Sequence, residues 1–454
     1  MRITKFVTQS PKLPLMLAGL ALVLTVSVPV QAGQLVISSL PYTVSQSQHS
    51  ASTWDTVTIN GRTLSSATSG ITFGSGTHHW LLLLRTGSLP DTVIFGTDGT
   101  TPNTRGVATS TSSYDIIIRG GYILHRPAGI PDNFNGPYNV AHEACQGARA
   151  INLQGQYITV DSVLRAEVRG YAEQTHVIAG GGKMMTINAS RLFNECYAFN
   201  RRDLYEATCV KSEGLDQNDL AAGEYHYRIT NSYLSDKAHA NTYFANDKVD
   251  GHYGVVQIER DTFYLDLRNS KYTSYPAGLY NSTTNGYSIT WTRMGPGSTI
   301  KNCVFTAGNQ YEGGRGILLT HAVGTQSTPV EVAYNKISSH NGPNTEYGSD
   351  YNCVAVKFRQ HNTGVWFHHN SLTVTADTTT TLGATSYLPA GVALWLEPSY
   401  TWDGSNFPPY YLTIENNACS AKVITNVNRS SYNVAAVNFE TLQILDPTIT
   451  WRNN

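Results

Sequence analysis

The sequence predicts a single-domain, all-β solenoid in which short strands of successive coils pair in parallel, and three observations carry that expectation. The first is composition. Of 454 residues only 14% are charged, against roughly 25% in ordinary soluble domains, and Thr, Ser, Asn, Gly and 27 Tyr take the place of charge. Such a chain favours strands and turns over helices. The second is a repeated segment in which two apolar residues stand five positions apart around a polar middle. It occurs as IRGGYI (118–123), ITVDSV (158–163), INASRL (187–192), ITNSYL (229–234), IERDTF (258–263), IKNCVF (300–305), VAYNKI (332–337), FHHNSL (367–372) and IENNAC (414–419). The starts lie 29 to 47 residues apart, so one structural unit recurs with connections of variable length. The third is a second strand signal between the later copies: GILLTH (316–321), CVAVKF (353–358) and GVALWL (391–396). Strands this short, without helical crossovers, satisfy their backbone only if each coil pairs with the next.

Taken in order, residues 1–32 have the pattern of a signal peptide. Arg2, Lys5 and Lys12 precede an apolar run over 13–30, and Val30-Gln31-Ala32 suits a cleavage site. That pattern predicts export to the extracellular space or the cell surface, with 28 Lys and Arg left against 32 Asp and Glu. No Lys/Arg-rich block follows, which argues against a nucleic-acid partner. Residues 33–113, with TVTING (56–61), HHWLLLLRTG (78–87) and DTVIFG (91–96), are strand-like and suit the first rungs or an N-terminal cap; 114–425 hold the repeats, and 426–454 suit a C-terminal cap. Six cysteines, an even number in an exported chain, allow up to three disulfides, and Cys196 with Cys209 is the closest pair. The absence of a C-x-x-C spacing argues against zinc. In each repeat the Asn at the bend is expected to accept a left-handed backbone and to hydrogen-bond to neighbouring rungs.

The combination of GI-x-L with h-x-N-N-x-h resembles the repeat of right-handed parallel β-helix proteins, the pectate-lyase-like superfamily that includes polysaccharide lyases, glycoside hydrolases, epimerases and phage tailspikes. The resemblance covers about 114–425 and implies the β-helix fold. Aligning GILLTH, CVAVKF and GVALWL by their apolar letters places Thr320, Lys357 and Trp395 in one outward row, with Arg359 and Glu397 beyond them. This row predicts a contact surface for a polysaccharide. β-Elimination of a uronate needs a group to neutralise the carboxylate and a base for the C5 proton. Lys357 as base, Arg359 as carboxylate clamp and His361 as auxiliary acid fill those roles, with Thr320, Trp395 and Glu397 holding substrate. The stretch 341–361 is loosely similar to lyases acting on alginate and chondroitin, which implies Glu346, Lys357 and Arg359 as counterparts of their acidic, Lys and Arg residues.

Other motifs point elsewhere. VWFHH (365–369) resembles the V-W-I-D-H of pectate lyases, but His368 stands where that family has a calcium-binding Asp. GHYG (251–254) resembles the G-H-G of polygalacturonases without the partner motifs. Glu259 and Asp261, two apart on one strand face, are the best carboxylate pair for hydrolysis. No cofactor is implied; calcium is the metal that loops such as NDKVDG (246–251) could hold. His368 and His369, as strand neighbours, are expected to face opposite sides, which argues against a histidine metal cluster with His340 and His361. Two function classes remain: an exported polysaccharide-binding protein, a lyase if it is an enzyme, or a non-catalytic extracellular rod, adhesin or filament component that associates through its ends.

Overall fold

The computed structural model describes residues 33–49, 54–129, 147–170, 175–196, 207–212, 215–237, 240–244, 253–265, 287–290, 293–308, 315–341, 353–359, 362–377, 390–396, 399–400, 406–407, 411–424, 433–439 and 449–454. Three long parallel sheets of 14, 12 and 11 strands, here A, B and C, run side by side along one axis. The chain visits them in a fixed order. Thr299–Lys301 lies in A, Val304–Ala307 in C, Arg315–Thr320 in B, and Val330–Ala333 returns to A one rung on. This is the coil of a right-handed parallel β-helix, the hand that twisted strands impose on parallel connections. Residues 33–113 form its first rungs: Gln34–Ile37 pairs with Asp55–Ile59 in A, and Tyr42–Val44 with Ile71–Phe73 in B. At the other end Asn433–Phe439 extends B and Thr450–Arg452 extends A. Both terminal segments predicted as possible caps thus contribute rungs.

The repeated segments are the A strand, its bend and the start of the C strand. Ile187, Ile229, Ile258, Ile300, Val332, Phe367 and Ile414 form one interior column. Leu192, Leu234, Phe263, Phe305, Ile337, Leu372 and Cys419 form another. The Phe263 and Phe305 rings stack 4.5 Å apart. One copy is offset from its predicted alignment: Val160, not Ile158, pairs with Ile118 and Ile187. Its bend carries one extra residue, since Ala166 rather than Val163 meets Ile123 and Leu192.

Two consecutive residues of the bend share the roles expected of one Asn. The first adopts the left-handed backbone: Gly120, Ser162, Ala189, Asn231, Arg260, Asn302, Tyr334, His369, Asn416 and Asn453, with φ between 48° and 75°. The second turns its side chain inward and links the rungs. Asn335 Oδ1 accepts from the Cys303 backbone N–H, Asn370 Oδ1 from Asn335 N–H, Asn417 Oδ1 from Asn370 N–H, and Asn454 Oδ1 from Asn417 N–H, at 2.9 to 3.1 Å. Each amide also donates to carbonyls of its own or the preceding rung; Asn370 Nδ2, for example, reaches Val332 O and His368 O. Earlier rungs fill this position with Ser190, Ser232, Asp261 and Cys303.

Asp261 therefore does not stand on a strand face beside Glu259, as the sequence suggested. It is buried in the ladder, where its carboxylate accepts from Ser232 N–H at 2.6 Å and Glu259 N–H at 3.2 Å. The left-handed residue Arg260 between them breaks the two-residue alternation. Burial raises the Asp261 carboxyl to about 8 despite these donors.

The expected Cys196–Cys209 bridge is absent; both cysteines are buried and neither is in a disulfide. Cys196 ends a strand of sheet C and Cys209 lies in sheet B, with its Sγ directed at Ser235 O, 3.1 Å away. Cys303, Cys353 and Cys419 are likewise in no disulfide, and Cys145 lies outside the described residues. Burial raises the Cys353 thiol to about 12, so these cysteines act as small apolar fillers.

Two outcomes test the ladder. Asn370→Ala strips acceptors from Asn335 and donors from two carbonyls, and should lower stability by at least about 2 kcal/mol in urea denaturation. The folded Asp261 carboxyl holds its proton to a higher pH than an unfolded one, near 4. Its contribution to stability is therefore full at low pH and is lost as pH rises from about 4 to about 8. Asp261→Asn should remove that part of the pH dependence and raise the melting temperature at pH 9 above that of the parent.

Candidate functional site

The outer face of sheet B is where the sequence placed a site. In Cys353–Arg359, Cys353, Ala355, Val356 and Phe358 belong to the main core, so two consecutive residues point inward and the alternation slips by one. Val354 instead packs outside, with Val392 and Trp395, in a separate apolar cluster. The same slip occurs in neighbouring rungs. A Cβ on Gly316 would lie 2.3 Å from Ala355 O and 2.5 Å from Ile337 Cγ2, so that column is closed to all but the smallest inward residues. The resulting register pairs Ile317 with Val356 and Leu394, not with Val354 and Val392.

This register corrects the predicted row. Leu318, Lys357 and Trp395 form one outward column, and Thr320 sits beside Arg359. Matching the first apolar letters of GILLTH and CVAVKF set Ile317 against Val354, two residues from its actual partner Val356. Lys357 and Trp395 are adjacent as predicted, and closely so: the ammonium lies 3.4 Å from the indole centroid. The pair is covered, with Lys357 6% and Trp395 5% exposed. Arg359 is exposed and Thr320 buried. His361 and Glu397 lie outside the described residues, as do Glu346 and the NDKVDG loop.

Sheet B also has a property that sequence alignment of three strands missed. Its twelve strands carry Arg105, Arg149, His176, Lys211, Arg315, Lys357 and Arg359, and no Asp or Glu. The acids fall on the other sheets: Asp55, Asp115, Asp161, Glu259, Glu331 and Glu415 on A, and Glu167, Glu195, Asp236 and Asp377 on C. On C the two glutamates are met locally, Glu167 by Arg126, Arg165 and Arg169, and Glu195 by Lys237. Along B, Arg105, Arg149 and His176 share one column, while Asn152 and Lys211 stand in the next. Arg149 donates to Asn152 Oδ1 at 2.7 Å. Burial, with Lys211 and Arg149 nearby, holds His176 well below the usual imidazole range, so it is neutral. The signal was present in the sequence as basic residues in six of the twelve B strands: Arg105, Arg149, His176 and Arg315 open theirs, and Lys211, Lys357 and Arg359 stand near the ends of two others.

The histidine pair also differs from expectation. His369 is the left-handed residue of its bend, φ 53°, rather than a strand residue, so His368 Nδ1 lies 2.8 Å from His369 Nδ1. His368 Nε2 lies 3.1 Å from Glu331 Oε1, and its indole neighbour Trp366 stacks on it at 3.9 Å. Among the described residues no group of three or more His, Cys, Asp or Glu is placed to hold a metal ion. No protein-family model, curated protein or solved structure matches the chain.

Proposed function

We propose that the protein is an exported rod that binds an acidic extracellular polysaccharide along the outer face of sheet B. The supporting observation is charge segregation: the described strands of this face carry seven basic residues on six rungs and no acid, neighbouring rungs being about 4.8 Å apart, on a chain whose net charge is −1. A single-sign array of this kind concentrates a polyanion and orients it along the array. Roles divide by exposure. Arg105 and Arg359 are exposed and Arg149 half-exposed, so they contact the polymer, while Lys211, Arg315 and Lys357 are buried and strengthen the field beneath. The Lys357 ammonium seated on Trp395 serves as a fixed charge rather than as a base for the C5 proton. The second reading, a structural rod without ligand, is favoured by that same burial of Lys357 and Trp395.

Uronate polymers and an uncharged polymer in affinity electrophoresis separate the two. Uronates should retard the protein, the retardation should fade above about 0.3 M salt, and the uncharged polymer should act weakly. Arg359→Ala and Arg105→Ala should each weaken uronate binding about two- to fivefold. No retardation by any polymer would leave the structural rod. In the same incubations, absorbance of an unsaturated uronate product should stay flat; a rise abolished by Lys357→Ala would assign Lys357 to catalysis.

A further inference from the structure

A cavity of about 310 Å³ lies on a different face, outside sheet A near the last rungs. Its floor spans three strands. Trp366, Thr413 and Thr450 occupy one outward column, and His368, Glu415 and Arg452 the next. The connection 325–329 before Val330–Ala333 forms one wall, and Tyr411 stands at the mouth. The volume falls at the small end of the range for ligand clefts, roughly 300–1,000 Å³.

The lining is built rather than incidental. The Trp366 indole N–H donates to Glu415 Oε1 at 2.9 Å, and one face of the ring is backed by His368 at 3.9 Å. His368 is in turn held by Glu331 and His369. The indole is therefore fixed before any ligand arrives, which limits the ordering cost of binding. Tyr411 is 53% exposed and takes a left-handed backbone, φ 55°. That conformation costs a bulky residue about 1 kcal/mol or more, yet leaves an aromatic ring at the rim. Glu415 and Arg452 are register neighbours, but among the described residues neither forms an ion pair. A carboxylate and a guanidinium thus face one cavity, each with hydrogen-bonding capacity to spare.

We propose that this cavity binds one or two units of a neutral saccharide, at a site separate from the basic face of sheet B. The aromatic rings suit the apolar C–H face of a sugar ring. Glu415 accepts from hydroxyls and Arg452 donates to them, with Thr413 and Thr450 adding hydroxyls on the floor. An anionic sugar meets Glu415 and a cationic one meets Arg452, so a ligand without net charge fits both. The site does not depend on polyanion binding, and the two can succeed or fail independently.

The test is saturation-transfer NMR and tryptophan fluorescence on the full chain, with glucose, galactose, mannose and N-acetylglucosamine, and with glucuronate and glycine as charged and zwitterionic probes. At least one neutral sugar should bind saturably in the millimolar range and prevail over both controls. Glu415→Gln keeps an acceptor for the Trp366 N–H and should weaken that binding about tenfold. Tyr411→Ala should weaken it comparably, and Arg359→Ala on sheet B should leave it unchanged. Absence of saturable binding by all four sugars, tighter binding of glucuronate or glycine, or binding indifferent to Glu415→Gln would each overturn the assignment. A thermal midpoint for Glu415→Gln within a few degrees of the parent confirms that its loss of binding is local.

Discussion

Every backbone amide and carbonyl inside a parallel coil has its partner one rung away, and this obligation organises the molecule. No strand of four or five residues is stable by itself in water. Joined above and below, such strands form sheets eleven to fourteen strands long and enclose a column of Ile, Val, Leu and Phe. The inward side chains of the bend apply the same rule to the polar groups that the sheets leave over, with Asn335, Asn370, Asn417 and Asn454 linking amides across four successive rungs. Register follows from both sets of bonds together. Sliding one strand by a residue would turn its apolar letters outward and break the Asn links at the same time.

That obligation also explains which parts of the fold were legible in the sequence. The A-strand, bend and C-strand unit was visible because its length is nearly invariant and its apolar ends face one core. Eight of the nine copies stack as the letters suggest; the copy at 158–163 does not, because an extra residue in its bend moved Val160 into the column. Sheet B was less legible. Its strands contain a slip at Gly316, Ala355 and Ala393, where a small inward residue precedes a second inward residue. Aligning first apolar letters ignored it, so Thr320 was set against Lys357, two residues from its place beside Arg359. The adjacency of Lys357 and Trp395 survived because CVAVKF and GVALWL enter their rungs at the same point, Val354 pairing with Val392. Their burial was not visible, since it depends on neighbours distant in the chain.

The sheets also divide the surface chemistry. On C, carboxylates and guanidinium groups neutralise one another within a few ångströms; on A, acids, hydroxyls and rings are mixed; on the strands of B, the ionisable acid and base side chains are all basic. A coil makes such segregation easy, because one position in the repeat always emerges on the same side of the rod. A preference expressed once per turn therefore becomes a stripe, and two stripes a third of a turn apart can serve unrelated ligands.

The swollen bend at 160–166 has a consequence for how such a chain can change over time. Its surplus residue is absorbed within one corner, and the strands on either side of it keep their partners. Lengthening a corner is thus a local event in this architecture, whereas lengthening a strand would misalign everything wound after it. Descendants of one ancestral coil can consequently drift far apart in corner length and lettering while the winding persists, leaving little in the linear text by which kinship could be noticed.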